Sequence, residues 1–318
     1  MRRKLNYIEP KVAQENNFLQ RYVFNTPLSV NDIKLFKAIL SKVKYNDSDF
    51  EDSYEINYSL LDIAGVPKRN RYQEIEKSLI KLMSTFVTIK EEDRKRFNDP
   101  LADKIKGNRT LGLIKNDWIH EKNSCKIIIS IPSILKPFFL ELADKEYTIY
   151  SLKNICDMSS VYEIKLYELF VRWKNKGYCA ITVENLRKYL ELKDKYTVYG
   201  NFKQRILKKN IESISEHTNL LIVYRELNEK GDIVSNAKGK NSRVHSIEFL
   251  ISQKDNFKKE NYLTKSFVGN DGKKYIILEI NENEEGLLTI KLFDNELSEV
   301  VSFVRPISKE DFIKGVIV

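Results

Sequence analysis

The run YTVYGNFKQRILKKNIESISEHT, residues 196–218, decides how the rest of the chain is read. At 3.6 residues per turn Phe202, Ile206, Leu207, Ile211 and Ile214 fall on one side of a helix, and Asn201, Gln204, Arg205 and Lys208 on the other. Each apolar side chain buried on the first side contributes roughly 1.5–3 kcal/mol, so packing alone holds such a helix. Its basic side is left for an acidic partner. Gly200 and Asn201 interrupt the pattern just before Phe202, and Asn is a good N-cap. The spacing therefore predicts a helix start there, with the polar residues of its first two turns projecting outward.

Two further helices and a β-pair belong with this one. A helix from Glu163 to Trp173 is apolar at Ile164, Leu166, Tyr167, Phe170 and Val171, and Ile181-Thr-Val-Glu opens a short helix through Leu186 and Leu190. After the helix from Phe202, Leu220–Leu227 and Arg243–Ser252 read as paired strands around the Lys- and Gly-rich loop NEKGDIVSNAKGKNS. The same order occurs earlier. Ser29-Val-x-x-Ile-Lys-Leu-Phe is echoed by Ser160-Val-x-x-Ile-Lys-Leu-Tyr. Ile33, Leu35, Phe36, Ile39, Leu40 and Val43 make the first stripe; Tyr54–Tyr58 alternates like a strand, and LLDIAG is a short helix stopped at Gly65 and Pro67. A longer helix follows, with Tyr72, Ile75, Leu79, Leu82, Met83 and Phe86 inward and Asn70, Gln73, Lys77 and a solvated Lys81 outward. Strands are expected at Val87–Lys90, Leu111–Ile114 and Lys126–Ile131, around the charged insertion EEDRKRFNDPLADKIKGNR. A three-helix-and-hairpin unit thus occurs twice.

Charge is unevenly spread over the 318 residues. The net charge is +9, yet from Phe257 onward there are 9 basic and 11 acidic residues, against 45 and 34 before it. Phosphate suits the basic four fifths, with an anionic membrane as the alternative. No apolar run reaches membrane-spanning length and no signal-peptide pattern follows Met1, so a cytoplasmic protein is expected. Cys125, Cys156 and Cys179 are odd in number and widely spaced, which argues against a disulfide framework or zinc site; no cofactor or metal is expected. The division expected is an N-terminal arm (1–25), a first unit (26–145), a second unit (146–256) and an acidic appendage (257–318). In the appendage Lys274–Ile280, Leu287–Phe293 and Glu299–Val304 resemble strands, serving self-association, a host partner or packing against the preceding unit.

SSVYEIKLYELFVRWKNKG, ITVENLRKYLEL and YTVYGNFKQRILKKNIESISEHTNLLIVYRE carry a resemblance to a known family. With Leu166-Tyr167-Glu168, Leu186-Arg187, Phe202-Lys203-x-Arg205 and Thr218-Asn219-Leu220 in order, the second unit resembles the C-terminal winged-helix domain of the iteron-binding plasmid replication initiators. NRYQEIEKSLIKLMS (Asn70–Ser84) and YTIYSLKNICDMSSVYEIKLYE make the first unit look like the family's N-terminal domain; the resemblance covers residues 20–252. It implies an α+β chain of two tandem winged-helix domains (helix-turn-helix plus β-hairpin wing) in a pseudo-two-fold relation, with the small β-rich appendage added. It further implies binding to repeated origin sites in duplex DNA as a monomer and dimerisation through the first domain, the dimer repressing its own gene. A host initiator and the host replicative helicase are the remaining partners it implies.

Short or forked polar side chains at the start of a helix reach base edges while longer cations hold phosphate. Asn201, Gln204 and Arg205 are the base-reading candidates, and Lys203 and Lys208 the phosphate candidates. Lys230, Lys238, Lys240 and Arg243 suit a wing along the backbone or minor groove, or a solvated turn. Arg69, Arg71, Gln73 and Lys77 occupy the equivalent places in the first unit. The rival classes are a rolling-circle nicking enzyme, an ATPase and a winged-helix transcription regulator. Nicking needs neighbouring histidines to hold a metal, whereas His120, His217 and His245 stand apart, His245 reading as structural beside Ile247, Phe249 and Ile251. Gly107-Asn-Arg-Thr-Leu-Gly112 has phosphate-loop spacing but continues Leu-Ile, not Lys-Ser/Thr. The regulator uses the same parts and stays open.

Overall fold

Ser29 opens the first helix, α1 (Val30–Leu40), with a capping box: its hydroxyl accepts from Asp32 N at 3.3 Å and the Asp32 carboxylate accepts from Ser29 N at 2.7 Å. Leu35, Phe36, Ile39 and Leu40 are buried along α1. The computed structural model describes residues 10–15, 27–95, 99, 101–115, 117–121, 123–140, 147–234, 243–254, 263, 265–269, 272–285, 287–294, 297, 299–302 and 306–317. They fall into two compact units, Met1–Arg172 and Trp173–Val318.

In the first unit β1 (Lys11–Glu15) precedes α1, and β2 (Tyr54–Asn57) and α2 (Tyr58–Ile63) follow it. Then come α3 (Arg71–Ser84), β3 (Phe86–Ile89), β4 (Arg109–Gly112), β5 (Ile119–Glu121) and β6 (Lys126–Ile129). A short α4 (Lys136–Phe139), β7 (Tyr147–Ser151) and α5 (Val161–Trp173) complete the series. Strands β3 and β4 form the expected hairpin, while β2 joins β6 and β5 in a separate sheet. Residues 11–15, placed in an N-terminal arm by composition, instead pair antiparallel with β7. Gly65, at φ +73°, sits so close to Cys156 that a Cβ there would lie 2.1 Å from its carbonyl oxygen.

Among the described residues, several side chains of the first unit depart from their sequence reading. Phe86 is 42% exposed, because the alternation of β3 buries Val87 and Ile89 instead. Lys81 is not solvated: its ammonium reaches Asp32 at 2.9 Å, and Ser78 donates to the same carboxylate at 2.6 Å. Tyr72 is half-buried and stacks on His120, ring centroids 4.2 Å apart. Within the insertion, a fully buried Asp99 accepts from Arg94 Nε at 2.6 Å and from Arg109, and Arg94 also donates to Gly107 O at 3.0 Å. Burial pushes Asp99 up, but the bonds from Arg94, Leu101 N and Arg109 outweigh it and hold the carboxyl below its ordinary range.

The second unit repeats the order strand, short helix, long helix, strand pair: β8 (Tyr178–Thr182), α6 (Val183–Tyr189), α7, β9 (Leu220–Leu227) and β10 (Ser246–Gln253). Here α7 is three continuous helical segments, Tyr199–Phe202, Lys203–Lys208 and Lys209–His217. Thr182 caps α6 by accepting from Asn185 N at 3.2 Å. The sheet order is β8-β10-β9, all antiparallel. The appendage contributes β11 (Ser266–Val268), β12 (Lys274–Glu282), β13 (Leu288–Asp294), β14 (Glu299–Ser302), α8 (Lys309–Gly315) and β15 (Val316–Ile317). Its five-stranded sheet, in the order β14-β13-β12-β11-β15, packs on the wing strands, where Leu221, Val223 and Leu250 share one core with Phe267, Ile277, Ile290, Leu292 and Phe312.

Candidate nucleic-acid interface

Helix α7 has the two sides its spacing predicts. Phe202, Ile206, Leu207, Ile211 and Ile214 are at most 4% exposed, while Asn201, Gln204, Arg205 and Lys208 are exposed. The start differs from the expectation. Val198 occupies the N-cap position and the helix begins at Tyr199, so Gly200 and Asn201 lie inside its first turn. Lys203–Lys208 is π-helical, a wider turn than the segments on either side, and Asn210 Nδ2 donates to Ile206 O at 2.6 Å there. Lys209, absent from the sequence candidates, is exposed beside Lys208.

Arg187 of α6 holds the entry to α7. Its guanidinium donates to Tyr196 O at 2.6 Å and Lys195 O at 2.7 Å, and lies 5.5 Å from the centroid of the Phe202 ring. A second tie comes from β9. Glu226 accepts from Tyr199 Oη at 2.8 Å, and its two carboxylate oxygens lie 2.8 and 2.9 Å from Lys203 Nζ. Burial, then the Glu226 carboxylate, pushes the Tyr199 phenol well above its ordinary range, so the hydroxyl stays protonated and donates. Lys203, expected on phosphate, is thus occupied within the protein.

At the base of the wing Asn228 Oδ1 accepts from Lys230 N and Asp232 N, each at 2.9 Å, which fixes the turn. Lys230 and Arg243 are exposed and, with Thr182, Glu184, Arg187 and His245, line one cleft between wing and α6. His245 is exposed there, not structural as its alternation suggested, because the strand begins one residue later, at Ser246. Lys238 and Lys240 lie outside the described residues.

In the first unit Arg69 and Gln73 are exposed, and Lys77 is exposed with Glu74 at 2.8 Å. Arg71 is a correction to the candidate set. It is 8% exposed and donates to Asp62 at 2.6 Å, Pro67 O at 3.1 Å and Val66 O at 2.5 Å, so it ties the turn between α2 and α3 from inside. His120, buried, meets Tyr58 Oη through Nε2 at 2.8 Å, and burial holds its pKa below the ordinary value. Among the described residues no cluster of three His, Cys, Asp or Glu side chains is placed to hold a metal ion, and no helix is long and apolar enough to cross a membrane.

Comparison with known proteins bears on these parts. A family model described as "Initiator Replication protein, WH1" matches residues 11–171, and one described as "Initiator Rep protein, WH2" matches residues 182–251. Among solved structures, the Pi initiator protein in complex with iteron DNA superposes with a TM-score of 0.60 over 76% of this chain and 97% of that one, at 17% identity. At that identity the likeness is one of fold. No curated protein matches the chain.

Proposed function

The chain belongs to the initiator replication protein family, with both of its winged-helix domains present, and from that premise we propose that it starts plasmid replication by binding repeated origin sequences, iterons, in duplex DNA. The observation that carries the reading is α7: an apolar side seated in its own domain and an exposed side of Asn201, Gln204, Arg205 and Lys208. Asn201 and Gln204 suit adenine and Arg205 suits guanine, while the exposed Lys208, Lys209, Lys230 and Arg243 suit phosphate. Lys238 and Lys240 join the wing set by their place in the sequence. In the first unit the exposed Arg69 and Gln73, with Lys77, form a second and smaller reading surface. The solved relative's iteron complex supports this assignment by analogy of fold.

The protein acts by binding DNA, not by making or breaking bonds, and works in the cytoplasm. Dimerisation through the first domain, repression of its own gene by that dimer, and contacts with a host initiator and the replicative helicase complete the reading, on family grounds. Footprinting the purified protein on its own replicon tests it. Protection of successive direct repeats is expected; protection of a single palindrome alone would reassign it as a transcription regulator.

A further inference from the structure

Two residues in the first two turns of α7 converge on one carboxylate of the wing. Tyr199 and Lys203, four apart and so on one face of the helix, both bind Glu226, which lies on β9 and is 14% exposed at its side chain, against 34% for Lys203. Both carboxylate oxygens are within 2.9 Å of the ammonium, so the lysine is held at its tip. Half-buried pairs like this are screened less than surface ones and keep their geometry. A helix tied to a wing strand at its N-terminal turns has a set angle, which fixes the side chains that read bases. A lysine whose ammonium is held by both oxygens of a half-buried carboxylate has its charge already compensated when it meets phosphate, unlike an exposed pair such as Lys77 with Glu74.

We infer that Glu226 is a positioning residue for DNA recognition: it withholds the Lys203 charge from the phosphate backbone and sets α7 against the wing, lowering sequence-indifferent affinity while raising specificity. This rests on the duplex-binding reading above. The two effects are separable. A phosphate contact strengthens binding to every sequence alike, so the withheld charge shows in absolute affinity and in salt dependence, not in the ratio of specific to non-specific binding. The ratio depends on base contacts, and these need the helix at its set angle. The carboxylate is also a negative charge beside the helix that faces a polyanion, which penalises misdocked arrangements.

The test uses the full chain, a duplex that the wild-type protein selects from a randomised pool, and a scrambled duplex of the same composition. For Glu226→Gln, binding to the scrambled duplex tightens, the specificity ratio falls several-fold, and the plot of log affinity against log salt steepens by about 0.9, one phosphate contact. Adding Lys203→Met to Glu226→Gln returns the slope to the wild-type value while the ratio stays low. An unchanged slope and ratio in Glu226→Gln overturns the inference, since a purely structural pair would alter melting alone. If Glu226→Gln does not fold, Tyr199→Phe, which keeps the ion pair, is expected to lower the ratio at constant slope, and an unchanged ratio there also overturns it. Wild-type protein that selects no duplex from the pool would instead refute the duplex-binding reading.

Discussion

Lys37 and Glu168 meet at 2.5 Å with side chains only 2% and 4% exposed, joining α1 to α5 inside the first unit. Gln14 of β1 accepts from the same ammonium at 2.6 Å, and Tyr150 of β7 donates to the same carboxylate at 2.6 Å. Breaking one side strands a buried charge, so Lys37→Met is expected to cost about 3–5 kcal/mol in denaturant unfolding. The double change Lys37→Met with Glu168→Leu recovers most of that loss, since a well-packed apolar pair replaces an ionic one at little net cost. A double variant as unstable as the single one would show that the network's hydrogen bonds, not its charges, hold the site.

Arg205 stands on the exposed side of α7. Arg205→Ala is expected to cost about 1–3 kcal/mol on a selected duplex and far less on a scrambled one. Fluorescence anisotropy titrations at several salt concentrations check this. Equal losses on both duplexes would assign Arg205 to the backbone.

At Gly65 two demands coincide, a positive φ and the close carbonyl of Cys156. Lys34 Nζ donates to that same carbonyl at 2.6 Å, so the neighbour has little room to yield. Gly65→Ala should therefore destabilise by more than about 1 kcal/mol, the scale at which compatible glycine replacements instead stabilise. Thermal melting measures it.

Burial pushes the Asp32 carboxyl up, but hydrogen bonds from Ser78, Ser29 N and Lys81 outweigh it and leave its pKa lowered. A lowered folded-state value means more stability above the unfolded value near 3.8, lost as pH falls through the folded one. Asp32→Asn should be less stable than wild type at neutral pH, with the difference narrowing as the pH drops below about 4. Melting curves from pH 7 to acid check it, and a difference that widens in acid would contradict it.

Arg225 crosses from β9 to the appendage, donating to Val316 O and to Ile313 O at 3.4 Å, and lies 3.5 Å from Glu248. Arg225→Ala removes both bonds and leaves the Glu248 carboxylate without that guanidinium, although Ile313 O keeps the Val316 N–H, and should cost about 1–3 kcal/mol. Limited proteolysis should then cut sooner within residues 263–317. Unchanged cleavage would mean that the shared apolar core alone holds the appendage.

What the sequence disclosed follows the range of each interaction. The sides of α7 and the Ser29 start of α1 depend on residues within a few positions of one another, and both were legible. The fates of Lys203 and Lys81 were not. Their partners, Glu226 and Asp32, are 23 and 49 positions away, and periodicity carries no information about which distant carboxylate a lysine meets. Arg71 departs from its expectation for a nearer reason: its place at the start of α3 matches an exposed polar position, yet the turn of Pro67 and Val66 folds back to collect its guanidinium. The appendage showed its strands and, as one of three alternatives, its seat on the preceding unit; the residues of that seat were not legible, because Leu221 and Val223 look the same whether they face a tail sheet or a neighbouring helix.

Leu220, Leu221, Ile222 and Val223 are buried without alternation, since β9 has the last part of α7 on one side and the appendage on the other. Strands β9 and β10 are therefore the filling of a sandwich, whereas β3 and β4 leave Phe86 and Thr88 in the open. Over Leu220–Val223 neutral drift has no outward side of β9 on which to accumulate. A change in the tail core at Phe312 or Ile290 is therefore felt at α7 through that shared layer, without altering any residue on the exposed side of the helix.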